Sequence, residues 1–329
     1  MLCSRNNSMN NNTNLKITML GGSGSGKTCF MLAMYNIMSS GVDGFTFSTD
    51  DWDDGIDLEE AWYKLYDGTA IDRWPKGTAD SRSYKFALNY GAKRLQTFEW
   101  LDYRGGALIG RSDDSGLGTL KAHLAGSYGV FIVVPCDILI QNDTRAGHRM
   151  HISRIVQLLT ETSNSGNQPV VSLVITKVDI WTNKFGRGQQ EKLINQLREL
   201  FNPLFAKGGN WTVTIIPVTL GEDLCNNPDS AQIAPNAIHL PVTFTISELY
   251  NGKKDAIQNS KQALAVIPPC KVPWWEKMFG SNDISRLEID SKNQKSTNEE
   301  NAIESVRRII SGIMKAEVPV YKDGERVRN

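Results

Sequence analysis

Apolar residues along the chain follow two rhythms. Short, nearly unbroken runs occur at 15–20 (LKITML), 128–135 (YGVFIVVP), 169–175 (PVVSLVI) and 211–216 (WTVTII), with less uniform ones at 83–90 and 95–101 (LQTFEWL). These lengths suit strands, and the all-apolar stretches 130–134 and 170–175 suit strands covered by helices on both faces. Between them, apolar groups recur at helical spacing over 27–39, 117–126, 144–162 and 187–201, and Gly41 is placed to stop the first of these. Strands alternating with helices of this length predict an α/β fold with a mostly parallel sheet and helices on both faces. No internal repeat is found.

The first run ends in GGSGSGKT, residues 21–28, and a helical pattern follows at once. Gly21-x-x-x-x-Gly26-Lys27-Thr28 is the complete phosphate-loop pattern, and its strand-loop-helix setting is the one that gives it meaning. Glycines let successive N–H groups turn inward around a phosphate, and the helix N-terminus adds partial positive charge. Lys27 is expected to reach the terminal phosphates and the Thr28 hydroxyl to bind Mg2+. Contacts are expected along Gly21, Gly22, Ser23, Gly24, Ser25, Gly26, Lys27, Thr28 and Cys29. The dinucleotide fingerprint fails, because after Gly22 and Gly24 its third glycine falls on Lys27.

Two later stretches stand at strand ends. EWLDYRGG places Asp102 where it can hold magnesium through water, and Gly105, three residues on, where its N–H can approach a γ-phosphate. Asp137, ending VFIVVPCD, is the rival magnesium residue; it lacks a glycine partner and reads better as a strand-end or capping residue. VITKVD then places Thr176, Lys177 and Asp179 after a buried strand. A carboxylate here can accept from both N1–H and the 2-amino group of guanine. Adenine lacks that donor pair and would leave the carboxylate unpaired. The Lys177 stem can pack over the base, and PVTL at 217–220, with Thr219, can offer a backbone N–H to guanine O6.

These motifs, in this order over roughly 15–220, resemble the P-loop GTPases of the translation-factor and Ras-like class. Within it they are most similar to bacterial GTPase domains associated with conflict and defence systems. The resemblance implies GTP/GDP and Mg2+ as ligands, with Lys27 and Thr28 on phosphate and magnesium, Asp102 and Gly105 in the phosphate-sensing turn, and Thr176, Lys177 and Asp179 on guanine. Thr78, shortly before the strand at 83–90, stands where the switch threonine of Ras-like proteins would meet magnesium and the γ-phosphate; a plain Pro-Gly turn residue is the alternative. Three departures matter. Thr176 replaces the usual Asn and is expected to lose an amide that braces the phosphate loop. Ser23 occupies a glycine position. Gly106 falls where a Gln would orient the attacking water, so slow hydrolysis is expected, with Arg104 or a partner's residue able to compensate. The implied function is a GTP-dependent switch acting on an unidentified protein partner; a P-loop ATPase or phosphoryl-transferring kinase is the alternative, although no arginine-rich lid is present.

The expected organisation is a disordered Asn/Ser-rich tail at 1–14, a GTPase domain over 15–250 with an insertion at about 41–80, and a partly helical extension over 251–329. The insertion is acidic. A calcium loop fails there, since Trp52 and Ala61 fall on ligand positions, and a helix capped by Asp57 and Glu60 with Leu58, Trp62 and Leu65 on one face is predicted instead. His148 and His151 are expected on one helical face, in a surface or packing role. Helices are expected at 242–263 and 298–315, with Trp274 and Trp275 between them in a Pro-rich loop packing onto the core.

Composition then narrows the class. With 36 Lys+Arg against 36 Asp+Glu, the chain lacks the excess of basic residues usual in a nucleic-acid binder. No apolar run approaches the roughly 18 residues of a spanning helix, and no secretory h-region is seen near residue 1. Five scattered cysteines fit neither a zinc site nor a disulfide framework. A cytoplasmic protein is expected.

Overall fold

A computed structural model of the chain describes residues 15–68, 72–76, 81–103, 106, 108, 115–141, 147, 150–164, 166, 168–266 and 318–328. The tail at 1–14, Thr78, Arg104, Gly105, His148, Trp274, Trp275 and the helix expected at 298–315 lie outside the described residues. The chain divides into two units, one comprising Met1–Pro241 with Glu317–Asn329, the other Val242–Ala316.

The first unit is built on a nine-stranded sheet: β1 (Leu15–Leu20), β2 (Phe45–Thr49), β3 (Arg82–Tyr90), β4 (Lys93–Asp102), β5 (Ser127–Pro135), β6 (Val170–Thr176), β7 (Thr212–Pro217), β8 (Val320–Lys322) and β9 (Glu325–Arg328). Their order is β2-β3-β4-β1-β5-β6-β7-β8-β9. The five central strands, β4, β1, β5, β6 and β7, run parallel, and antiparallel pairs extend the sheet at both ends. The expected α/β architecture is therefore present. All seven residues of β6 are buried, as its unbroken apolar run requires.

Two apolar layers cover the sheet. One is aliphatic, with Leu120 and Leu124 of α3 (Ser115–Ala125), Ile155 and Leu159 of α5 (Ile152–Asn164) and Leu197 of α7 (Gln190–Leu200) buried with Ile132, Leu173 and Ile215. The other is aromatic. Phe30 of α1 (Lys27–Ser40) lies 6.2 Å from both Trp100 and Phe131, and Phe86, Phe98 and Phe47 continue the layer. Phe86 stands directly across from Phe98, so aromatic cross-strand pairing joins β3 to β4.

Several elements differ from the sequence reading. β2 was not anticipated. Phe45 and Phe47 alternate with polar residues, a period-two signal only five residues long. The acidic helix, α2 (Trp52–Asp67), starts earlier than Asp57: Asp51 has an extended backbone, and its Oδ1 accepts the Asp53 N–H at 2.9 Å. Leu58, Trp62 and Leu65 are buried on one face as expected. α5 begins only at Ile152. His151 precedes it with φ 55°, its carbonyl accepting from the Ile155 N–H, and so lies off the helical face expected to carry it. Asp137 falls in the short helix α4 (Cys136–Ile140), and α6 (Val178–Phe185) starts at the end of β6. Finally, the segment read as an extension returns to the sheet as β8 and β9, where Tyr321 packs 5.0 Å from Phe205. The described part of the second unit lies in α8 (Leu240–Val266), which takes Pro241 in its first turn, where a missing N–H costs nothing.

Candidate nucleotide-binding site

The phosphate loop leaves β1 at the centre of the parallel sheet, between β4 and β5, and enters α1. Ligands in open α/β sheets bind beyond such carboxyl strand ends. Gly21 has no room for a side chain, since a Cβ there would lie 2.8 Å from the Val133 carbonyl oxygen. Gly26 caps α1 in the left-handed region with φ 88°. Lys27 folds back, its Nζ donating to the Gly21 and Gly22 carbonyls at 2.8 and 3.0 Å. Burial lowers its pKa to about 8, against an opposing pull from Asp102. The Thr28 hydroxyl lies 3.4 Å from Asp102 Oδ2, and Asp102 is only 4% exposed.

Tyr103 was not anticipated. It is buried, its hydroxyl donates to the Gly21 carbonyl at 3.2 Å, and its ring lies 5.5 Å from Lys27 Nζ. Burial pushes its phenol well above the usual range, so the group stays a neutral donor. The residue next to Asp102 is thus committed to holding the loop.

At the other end, Thr176 corrects an expectation. Its hydroxyl donates to the Ser25 carbonyl at 2.7 Å, and both residues are buried. The brace between β6 and the phosphate loop is therefore retained by a shorter side chain. Lys177 takes the left-handed conformation, φ 57°, and its ammonium pairs with Asp137 Oδ2 at 2.8 Å. Asp137 thus serves the Lys177 side of the site. Asp179 is buried, and desolvation raises its carboxyl pKa, opposed by a hydrogen bond from Thr219 and backbone donors including Cys225. Thr219 Oγ1 stands 3.4 Å from Asp179 Oδ1 but donates more closely to the Gly221 carbonyl, at 2.9 Å, and its N–H faces the Asn236 carbonyl at 3.4 Å.

One cavity of about 1000 Å³ joins the two ends. Its walls include 23–30 of the phosphate loop and α1, Gly106, 176–177, 179–180, Val218, Thr219, Leu224 and Cys225. Trp74, Pro75 and Lys76 close it on a further side. That strap is fixed by Arg73, 3% exposed, which donates to the carbonyls of Leu65 (3.0 Å), Pro228 (3.1 Å) and Ala231 (2.6 Å). No local pattern in the sequence announces these contacts, which lie up to 158 positions apart. Among the sequence-predicted residues, the structure brings Ser23, Gly24, Ser25, Gly26, Lys27, Thr28, Cys29, Thr176, Lys177, Asp179 and Thr219 to one cavity. Asp102 lies at its Thr28 side.

A strand, glycine-rich loop and helix at the centre of the parallel strands, facing a carboxylate in the first turn of α6, define a P-loop nucleotide-binding protein of the GTPase class. The model of the Double-GTPase 2 family matches residues 16–209, and the chain belongs to that family. Its family makes it a GTP-binding protein. Among solved structures it is similar to the S. cerevisiae Ski7 GTPase-like domain bound to GTP, at 17% identity and TM-score 0.41, covering 68% of this chain and 46% of that one. It is similar to the Chaetomium thermophilum signal recognition particle receptor SRb-GTP/SRX complex, at 14% identity and TM-score 0.36, over 63% and 91% of the two chains. Similarity extends to S. thermophilus NFeoB bound to GDP.AlF4-, at 12% identity and TM-score 0.36, over 92% and 100%. The chain thus spans just under half of the Ski7 chain it matches. No curated protein matches.

Proposed function

We propose that the chain binds GTP with Mg2+ in this cavity, hydrolyses it slowly in the absence of a partner, and acts as a nucleotide-dependent switch on a protein in the cytoplasm. The observation that carries this reading is the continuity of the cavity from Lys27 and Thr28 to Asp179, with the Thr176 hydroxyl tying its two ends together. The loop fits a triphosphate. Ser25 Oγ is buried with no hydrogen-bond partner among the described residues, and Lys27 holds only carbonyls that a phosphate oxygen would outcompete. The donor set fits magnesium as well: Thr28 and Asp102 offer one hydroxyl and one carboxylate at close range, and Mg2+ is commonly held by one or two carboxylates with substrate phosphates. Bound there, the ion would offset charge on the β- and γ-phosphates.

Lys27 then supplies a point charge to the terminal phosphates, while the loop amides orient them. Asp179 accepts from guanine, and the Lys177 stem, steadied by Asp137, lies beside the base. Gly106 lines the cavity and brings no side chain to position water, which supports slow intrinsic turnover. Free thiols at Cys29, Cys136 and Cys225 suit a reducing compartment, and no described helix is long and apolar enough to cross a membrane. The test is binding of GTP, GDP and ATP followed by single-turnover hydrolysis. Tight guanine-selective binding with turnover near the ~10⁻⁴–10⁻² s⁻¹ of GTPases acting without a GAP is expected. Equal affinity for ATP would refute the reading of 176–179, and fast turnover by the chain alone would refute the slow switch.

A further inference from the structure

α2 shows two faces of different character. Gly55, Leu58, Trp62 and Leu65 are buried. About a quarter-turn away runs a second apolar line at the same helical spacing: Trp52, Ile56, Tyr63 and Tyr66, exposed by 82%, 43%, 62% and 43%. Isolated exposed apolar residues need no explanation, but four aligned on one helix face mark an interaction site. Tyr66 lies 6.0 Å from the buried Trp62, so the line is continuous with the core at one end.

The charge on this helix selects the partner. α2 carries six carboxylates and a single lysine. Asp54 and Asp57 share the Arg82 guanidinium on the far side, whereas Asp53, Glu60 and Asp67 hold no salt bridge among the described residues and flank the aromatic line. Glu59 lies within it. Such a surface repels nucleic acid and anionic membrane. It attracts lysine and arginine, both through the carboxylates and through the faces of the exposed aromatic rings.

We propose that this face of α2 is the docking surface for a partner protein, engaged through a cationic amphipathic helix whose apolar side chains cover Trp52, Ile56 and Tyr63 and whose basic groups meet Asp53, Glu60 and Asp67. The proposal names the partner surface of the switch and rests on that reading only for its link to nucleotide. The link is physical: Arg73 donates to the Leu65 carbonyl near the end of α2 and to Pro228 and Ala231, while its neighbours Trp74, Pro75 and Lys76 form a wall of the cavity. A partner on α2 therefore bears on the helix end tied to that wall.

The probe is a synthetic leucine–lysine amphipathic helix matched to α2 in length, titrated against the full chain, with a leucine–glutamate peptide of the same length as its counterpart. The cationic peptide is expected to bind, more weakly as salt rises, and the Trp52→Ala/Tyr63→Ala double variant to bind it about tenfold less while keeping its helix content and its guanine-nucleotide affinity. Glu60→Lys should weaken binding further. Equal binding of the acidic peptide, or an unchanged affinity in the double variant, overturns the proposal. Direct binding of the peptide-free chain to anionic vesicles or duplex DNA, lost in the double variant, overturns it in favour of those partners, and self-association abolished by the double variant overturns it in favour of a second copy. Nucleotide binding is measured in the same samples without peptide; its absence in the wild type would sink the GTP reading and leave the peptide result standing.

Discussion

At the phosphate end of the cavity most polar groups come from one contiguous octapeptide, with Lys27 donating to carbonyls five and six residues before it and Asp102 and Tyr103 added from the end of β4. At the end proposed to take guanine they come from separate segments: Thr176 at the end of β6 and Asp179 after it, Asp137 after β5, Thr219 and Cys225 after β7, and the strap fixed by Arg73. The first end is closed on itself and must reorganise to take a phosphate. The second is held open by contacts between distant parts of the chain, with a buried carboxylate already in position. Triphosphate affinity is therefore expected to depend on one mobile ammonium, and base selectivity on a fixed scaffold.

Lys27→Ala tests the first half most severely. The side chain makes two charge-assisted contacts when it swings to the phosphates, worth roughly 1.5–3 kcal/mol each, so GTP affinity should fall by about 10²–10⁴-fold. The fold should persist, because the loop is also held by Thr176 and Tyr103. Isothermal titration with circular dichroism as a control checks both; near-wild-type affinity would show that the phosphates do not sit at this loop.

Asp179→Ala should cost less, about 10–100-fold. Two bonds to guanine are lost, but so is the penalty of burying a carboxylate whose pKa desolvation already raises. Selectivity should suffer more than affinity, with ATP gaining relative to GTP. Asp179→Asn should shift preference to xanthine nucleotides by exchanging an acceptor for a donor. Unaltered base preference in both variants would place the base elsewhere in the cavity.

The difference between the ends also decides what was legible in the sequence. The placement of the glycine-rich turn and of Asp102 could be read because it follows from local order: a strand, a glycine-rich turn, a helix. The 176–179 motif was readable for the same reason. The Thr176 brace was misjudged because its acceptor, Ser25, is 151 positions away and the hydroxyl's reach depends on how closely β6 approaches the loop. Arg73 was invisible because buried guanidinium groups usually seek carboxylates, whereas this one takes three backbone carbonyls. β8 and β9 were missed because three- and four-residue strands carry too little periodicity to register and gain their stability from β7.

The two ends should also differ in their response to pH. Burial holds Lys27 down to about 8 in the free protein, and a triphosphate would raise it. Below about pH 8 the ammonium is already formed and binding needs no proton. Above it the complex must take one up, so affinity should fall by about tenfold per pH unit. Titration at pH 8.5 in two buffers of different ionisation heat should reveal proton uptake. Lys27→Arg, charged throughout, is the control that separates this effect from titration of the nucleotide. No uptake, or the same slope in the arginine variant, would show that Lys27 is not the group being charged.

The smallest expected effect bears on the connection between the ends. Thr176→Val keeps the shape against Gly26, where a Cβ would stand 3.6 Å from the threonine Cγ2, but removes the hydroxyl and leaves the buried Ser25 carbonyl without that donor. One neutral hydrogen bond contributes about 1 kcal/mol, so GTP and GDP should each bind about fivefold more weakly. Because the hydroxyl touches the phosphate loop and not the base, the GTP-to-ATP preference should stay as in the wild type, which separates this variant from Asp179→Ala. Thr176→Asn brings back a donor of greater reach and should recover most of the loss. A Val variant that binds as tightly as wild type would mean the loop holds its shape without the tie. A Val variant that loses base preference as well would mean that the hydroxyl holds the guanine end, and the contrast between a closed phosphate end and a scaffolded base end would have to be abandoned.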